Sequence, residues 1–178
     1  KNIWTKGWYI MGLVQVATTV SDGSATFLEV TGINTDHVYL VAYTLIRTTL
    51  NNEGNQLRVL KSSSPDTTSN YDQAHEHLST TTSFSGGFQT NASAFAIHDN
   101  SDDDNGGSQG LIYCYNFNSS SEYSFISFVN VSTVSNQQMS NTGGGVHTVA
   151  SASNGVRMFG NASNAFKSGA RLTLYKVV

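Results

Sequence analysis

A chain of 178 residues is long enough to bury one hydrophobic core and short for two, so a single domain spanning 1–178 is expected. Hydrophobic residues at 38% and aromatics at 11% exclude a disordered chain, although charged residues make up only 12% while Ser, Thr and Asn number 24, 19 and 17. A net charge of −3 with scattered Lys and Arg excludes a nucleic-acid-binding class, and no run approaches the ~20 apolar residues of a membrane-spanning helix.

Taken from the start, residues 1–11 hold both tryptophans, and Trp4, Trp8 and Tyr9 are candidates for an attachment or interface arm, or for stacking against sugar rings. Starting on Lys1 rather than Met marks the chain as processed or as excerpted from something longer. Gly12 to Val20 and Ser24 to Thr31, separated by the turn-forming Ser21-Asp-Gly23, predict an opening hairpin. His37 to Arg47 reads as the longest, most apolar and most central strand, with Tyr39 and Tyr43 on one face. Gln56 to Lys61 alternates cleanly after the turn at Asn51–Asn55.

From Ser62 to Gly87 the pattern loosens around the only proline, Pro65, and reads as a long loop in which Tyr71 to Leu78 is irregular. Strand character resumes from Ala92 to His98 and is followed by the acidic segment Asp99–Gly107. Leu111 to Phe117 and Glu122 to Val131 predict a hairpin across Asn118–Ser121. Gly143-Gly-Gly145 reads as a break, after which Val146 to Ala152, Val156 to Gly160 and Ala170 to Val177 are strands. The last of these alternates strictly, as a half-buried antiparallel edge does, and is expected to close the domain with no tail to follow. About ten short strands without amphipathic helices, and without a fixed repeat, predict an all-β, jelly-roll-like antiparallel β-sandwich.

Few residues carry recognisable chemistry. Asp99, Asp102, Asp103 and Asp104 are calcium candidates, yet the spacing from Ser101 puts Ile112 where an EF-hand needs its closing glutamate. His75-Glu-His77 would face two imidazoles the same way on a strand, as candidates for zinc or nickel, with a third ligand needed from His37, His98 or His147. No nucleophile elbow, His-Glu-x-x-His or phosphate-cradling loop is present, so no catalytic residue, metal or cofactor is assigned and a non-enzymatic role is expected. Cys114 is the sole cysteine and reads as a small core residue. Sequons at Asn91, Asn118, Asn130 and Asn161 are expected by chance from a composition this rich in Asn, Ser and Thr.

Five segments carry a resemblance: Ser24-Ala-Thr-Phe-Leu-Glu-Val-Thr-Gly-Ile-Asn-Thr35, Tyr39-Leu-Val41, Asn55-Gln-Leu-Arg-Val-Leu60, Leu111-Ile-Tyr-Cys-Tyr-Asn-Phe-Asn118 and Ser168-Gly-Ala-Arg-Leu-Thr-Leu-Tyr175. In these the chain resembles the β-sandwich appendage proteins of tailed bacteriophages. The resemblance implies a jelly-roll-like virion structural module, forming part of a fibre, tail or capsid decoration on the particle exterior. It further implies a homo-oligomer, a trimer in many of its members, packed with other virion proteins and able to contact host surface polysaccharide. Low charge and few lysines suit such close packing of identical neighbours. Two other readings stay open: a secreted carbohydrate-binding lectin-like domain, and a polysaccharide-degrading enzyme whose carboxylates meet only in the fold.

Overall fold

A computed structural model describes residues 12–49, 54–80, 84–97, 107–134, 137–160 and 165–178. Among them run thirteen strands and no helix. In chain order these are β1 (Leu13–Val20), β2 (Phe27–Thr31), β3 (Tyr39–Ile46), β4 (Asn55–Lys61), β5 (Ser64–Pro65), β6 (Tyr71–Ser79) and β7 (Ser85–Ala92). There follow β8 (Phe95–Ala96), β9 (Ser108–Tyr115), β10 (Ser124–Val134), β11 (Gln137–His147), β12 (Gly155–Gly160) and β13 (Arg171–Val177). Eight form one antiparallel sheet in the order β1-β13-β3-β9-β10-β11-β6-β7. Five form a smaller sheet, β2-β12-β4-β5 with β8 also on β4.

The two sheets face each other across one core, because alternate residues of each strand are apolar and point inward. Leu28, Val30, Leu57, Val59, Val156 and Met158 come from the small sheet. Tyr39, Val41, Tyr43, Ile112, Cys114, Ile126, Phe128, Leu172 and Leu174 come from the large one. Phe95, Phe117 and Phe166 plug the core from β8 and the connections. Burial pushes the Cys114 thiol well above its ordinary range, so it packs as a hydrophobe. Where β3 and β9 lose register between Tyr43 and Ile46, Leu45 adopts a left-handed φ of 56°, and the bulge returns Ile46 to the core.

The all-β sandwich is the predicted one, with thirteen strands in place of about ten. The hairpin of Leu111–Phe117 with Glu122–Val131 forms as β9 and β10, with Phe125 opposite Tyr115. The opening hairpin does not: β1 pairs with β13 and β2 with β12, so the Ser21–Thr26 link steps from one sheet to the other. Tyr71–Leu78 is not irregular but lies in β6, since Tyr71, Gln73, His75 and His77 alternate onto the inner face. The long loop from Ser62 to Gly87 therefore holds β5, β6 and the start of β7. Val146–Ala152 is a strand only as far as His147. β3 is an inner strand but not the longest, since β10 and β11 reach 11 residues each. The closing strand is likewise no edge, because β13 runs between β1 and β3.

Gly143-Gly-Gly145 is a correction of its own, lying mid-strand in β11 rather than breaking the chain. A Cβ on Gly143 would sit 2.8 Å from the Phe128 ring, and one on Gly145 would sit 2.7 Å from the Phe95 ring. The glycines let these large side chains lie flat against the backbone of β11.

Candidate functional site

The outer face of the large sheet has an unusual property that begins in the sequence. The contiguous strands β3, β9, β10 and β11 contain no Asp, Glu, Lys or Arg at all. Inward positions of these strands fill the core, so the apolar residues in the opposite phase are left facing out. Leu111, Tyr113, Phe125, Val129 and Val131 are 38–52% exposed. Leu111 stands opposite both Ala42 and Val129, placing the three in one row across three strands. Around that row lies a shallow depression of about 390 Å³, bordered also by Thr44, Val131 and Ser140. Beside it the Tyr113 and Tyr115 rings stack at 6.4 Å, and Tyr115 shares a 3.1 Å hydrogen bond with Ser127. Charged residues reappear on the flanking strands, as Asp72 and Glu76 on β6 and Arg171 and Lys176 on β13.

A second constellation is buried between the sheets. Asp66, just after β5, accepts from Lys61 Nζ at 2.5 Å, from the Thr68 backbone N–H at 2.9 Å and from the Thr68 hydroxyl. Its other contact is His147 Nε2 at 3.1 Å, from the far sheet. Tyr71 donates its hydroxyl to the Asp66 carbonyl at 2.8 Å and accepts from the Val59 N–H at 3.3 Å. Burial alone would lift the Asp66 carboxyl, but Lys61 and Thr68 hold it well below the usual carboxylate range. Burial, reinforced by Lys61, depresses the His147 imidazole against the opposing pull of Asp66. A neutral His147 facing a carboxylate carries its proton on Nε2. That leaves Nδ1 bare, and it has no partner among the described residues.

Ser124 stands opposite His147 across the β10/β11 ladder, and its hydroxyl also lacks a partner. Asp66, His147 and Ser124 do not form a catalytic relay, because His147 and Ser124 make no hydrogen bond to each other and neither has exposed surface through which a substrate could reach it. What the cluster does is join the two sheets by charge-assisted hydrogen bonds.

His75 and His77 do share the inner face of β6. His77 Nδ1 pairs with the Asn141 Oδ1 at 2.8 Å, in a network with Asn130, and His75 lies between Gly87 and Gly143 on the adjoining strands. Among the described residues no third His, Cys, Asp or Glu joins them. His147 shares their sheet face but sits four residues along β11 from the partner of His75, about 13 Å away. Asp99, Asp102, Asp103, Asp104, Trp4, Trp8, Tyr9 and His98 lie outside the described residues. The sequon at Asn130 is buried in that polar network and offers no acceptor surface.

The outward apolar row was missed by sequence reasoning, although a signal existed. Phe125-Ile-Ser-Phe-Val-Asn-Val131 is apolar in both phases of a strand, which marks a sheet covered on both sides. No protein-family model, curated protein or solved structure matches the chain.

Proposed function

We propose that the chain is a non-enzymatic structural module that assembles from identical copies through the uncharged outer face of its large sheet. The observation that carries this reading is the complete lack of charged residues across four adjacent strands in a chain that has 21 Asp, Glu, Lys and Arg elsewhere. In a symmetric interface each residue meets its own kind or near neighbours, so a charge-free face avoids like-charge repulsion. Four strands spaced about 4.8 Å, of some 30 Å length, present roughly 600 Å² in projection, close to the ~800 Å² per partner of a standard interface once side-chain relief is added. Within that uncharged face the exposed apolar side chains Leu111, Tyr113, Phe125, Val129 and Val131 form the centre that association would cover. The resemblance to phage appendage proteins supports the same role, and with it a place on the exterior of a virion, in fibre, tail or capsid decoration.

Light scattering coupled to gel filtration tests the assembly. The wild-type chain is expected at a multiple of 19.1 kDa, and Val129→Lys with Val131→Lys at the monomer mass with an unchanged circular dichroism spectrum. A wild-type monomer at tens of micromolar would overturn the reading. Recovery of the chain from purified phage particles tests the virion assignment separately.

A further inference from the structure

The small sheet has the opposite character. On its outer face Arg58 of β4 stands directly opposite Arg157 of β12, which in turn stands opposite Glu29 of β2. Like charges placed opposite one another across a ladder are unfavourable, and the single glutamate compensates only one of them. Arg157 Nε donates to Glu29 Oε1 at 2.5 Å. Arg58 Nε donates instead to the Ser93 carbonyl at 2.9 Å, with Nη2 3.5 Å from the Ser93 hydroxyl.

Both guanidinium groups are also held from one side by rings. Arg58 lies 4.4 Å from the centre of Phe159, and Arg157 lies 3.9 Å from the centre of Phe27. Phe159 and Phe27 themselves stand opposite one another on β12 and β2. Two planar cations are thus stacked on two rings and fixed at Nε, with Arg58 Nη1 and the Nη groups of Arg157 left to bind a further acceptor. They edge a depression of about 460 Å³ to which Thr26, Gln56 and Ser93 add hydroxyl and amide groups.

We propose that this depression binds an acidic sugar, a uronate residue of a polysaccharide. Its carboxylate would bridge Arg58 and Arg157 and relieve their mutual repulsion, in the planar two-point geometry that guanidinium favours. The surrounding hydroxyls and amide match the hydroxyls of a pyranose ring, and a bare inorganic anion would leave them to water. Glu29 in the same row disfavours a doubly charged phosphate and leaves room for one negative charge. The nine Lys and Arg of the whole chain are too few, and too scattered, for a nucleic-acid backbone. The site lies on the sheet away from the uncharged face, so it stands independently of assembly through that face.

Calorimetric titration with trigalacturonate tests the proposal, with a neutral galactose trisaccharide, a sulfated one and polyglutamate as comparisons. Trigalacturonate is expected to bind, to weaken with added salt and to shift the ring proton signals of Phe27 and Phe159. Arg58→Gln is expected to lower affinity tenfold or more. Arg58→Lys, which keeps the charge and the fold but loses the planar fork, is expected to weaken binding with an unchanged melting temperature. Absence of binding at millimolar ligand, or affinity unchanged in both variants, would overturn the site. Equal binding of polyglutamate would overturn its sugar specificity, and preference for the sulfated sugar would overturn the carboxylate assignment.

Discussion

Asp66 and His147 respond to acid in separate pH windows, because each is depressed from a different ordinary value. His147 is depressed in the folded protein, so as pH falls through the ordinary histidine value of 6.5 the unfolded chain takes up a proton first and stability declines. Asp66 is also depressed, so its contribution is present above the ordinary carboxyl value of 3.8 and is lost as pH falls below it. Melting temperature measured from pH 8 to pH 2 is therefore expected to fall in two stages. His147→Gln should flatten the upper stage and leave the lower, whereas Asp66→Asn should remove the lower and reduce stability at neutral pH by stranding Lys61. A profile for His147→Gln parallel to wild type would contradict this assignment. None of this was legible in the sequence. Asp66 sits in what reads as a loop beside Pro65, and its partner 81 positions away is brought to it only by sheet packing.

At the level of elements, the glycine run of β11 is where local and tertiary signals conflict. Three glycines in succession lower strand propensity and read as a break, but the rings of Phe128 and Phe95 require that space. Gly145→Ala is expected to cost roughly 1–3 kcal/mol by overpacking against Phe95 and the Asp72 carbonyl. Gly144→Ala points to the outer face, meets the Ile126 carbonyl at 3.0 Å and the Ser127 Cα at 4.0 Å, and should cost less, as chemical denaturation of both variants would reveal. Strand existence was legible wherever apolar and polar residues alternate, as in Gln56–Lys61 and in β9 with β10. It was lost in β6, whose inner face is built from Tyr71, Gln73, His75 and His77, polar or amphipathic residues that hide the period from a hydrophobicity reading. A short turn was not a sufficient guide to pairing: it holds for β9 with β10, but the equally short link after β1 carries β2 into the other sheet.

For the whole molecule, the two sheets present outer faces of contrasting chemistry, one with four adjacent uncharged strands and one with paired arginines. If copies associate through the first, binding is linked to folding, and the melting temperature should rise with protein concentration. Val129→Lys with Val131→Lys should abolish that dependence while leaving the core untouched, and scanning calorimetry at two concentrations a hundredfold apart would measure it. The absence of charge from β3, β9, β10 and β11 is written plainly in the sequence. Its meaning was hidden because only the sheet order shows those segments to be neighbours. The Arg58–Arg157 pair was hidden for the same reason, since 99 positions separate them and their register alone makes them adjacent.

The first described strand and the last lie side by side, with Gly12 and Val178 exchanging backbone hydrogen bonds in both directions, at 2.8 and 3.0 Å. Pulled apart at those two residues, the β1/β13 ladder opens like a zipper, one bond loaded at a time. A load entering at residue 12 and leaving at Arg171, the opposite end of β13, instead runs along the strands and loads the bonds of that ladder together. The fold therefore has a mechanically soft direction and a stiff one, and the route by which force enters decides which is felt.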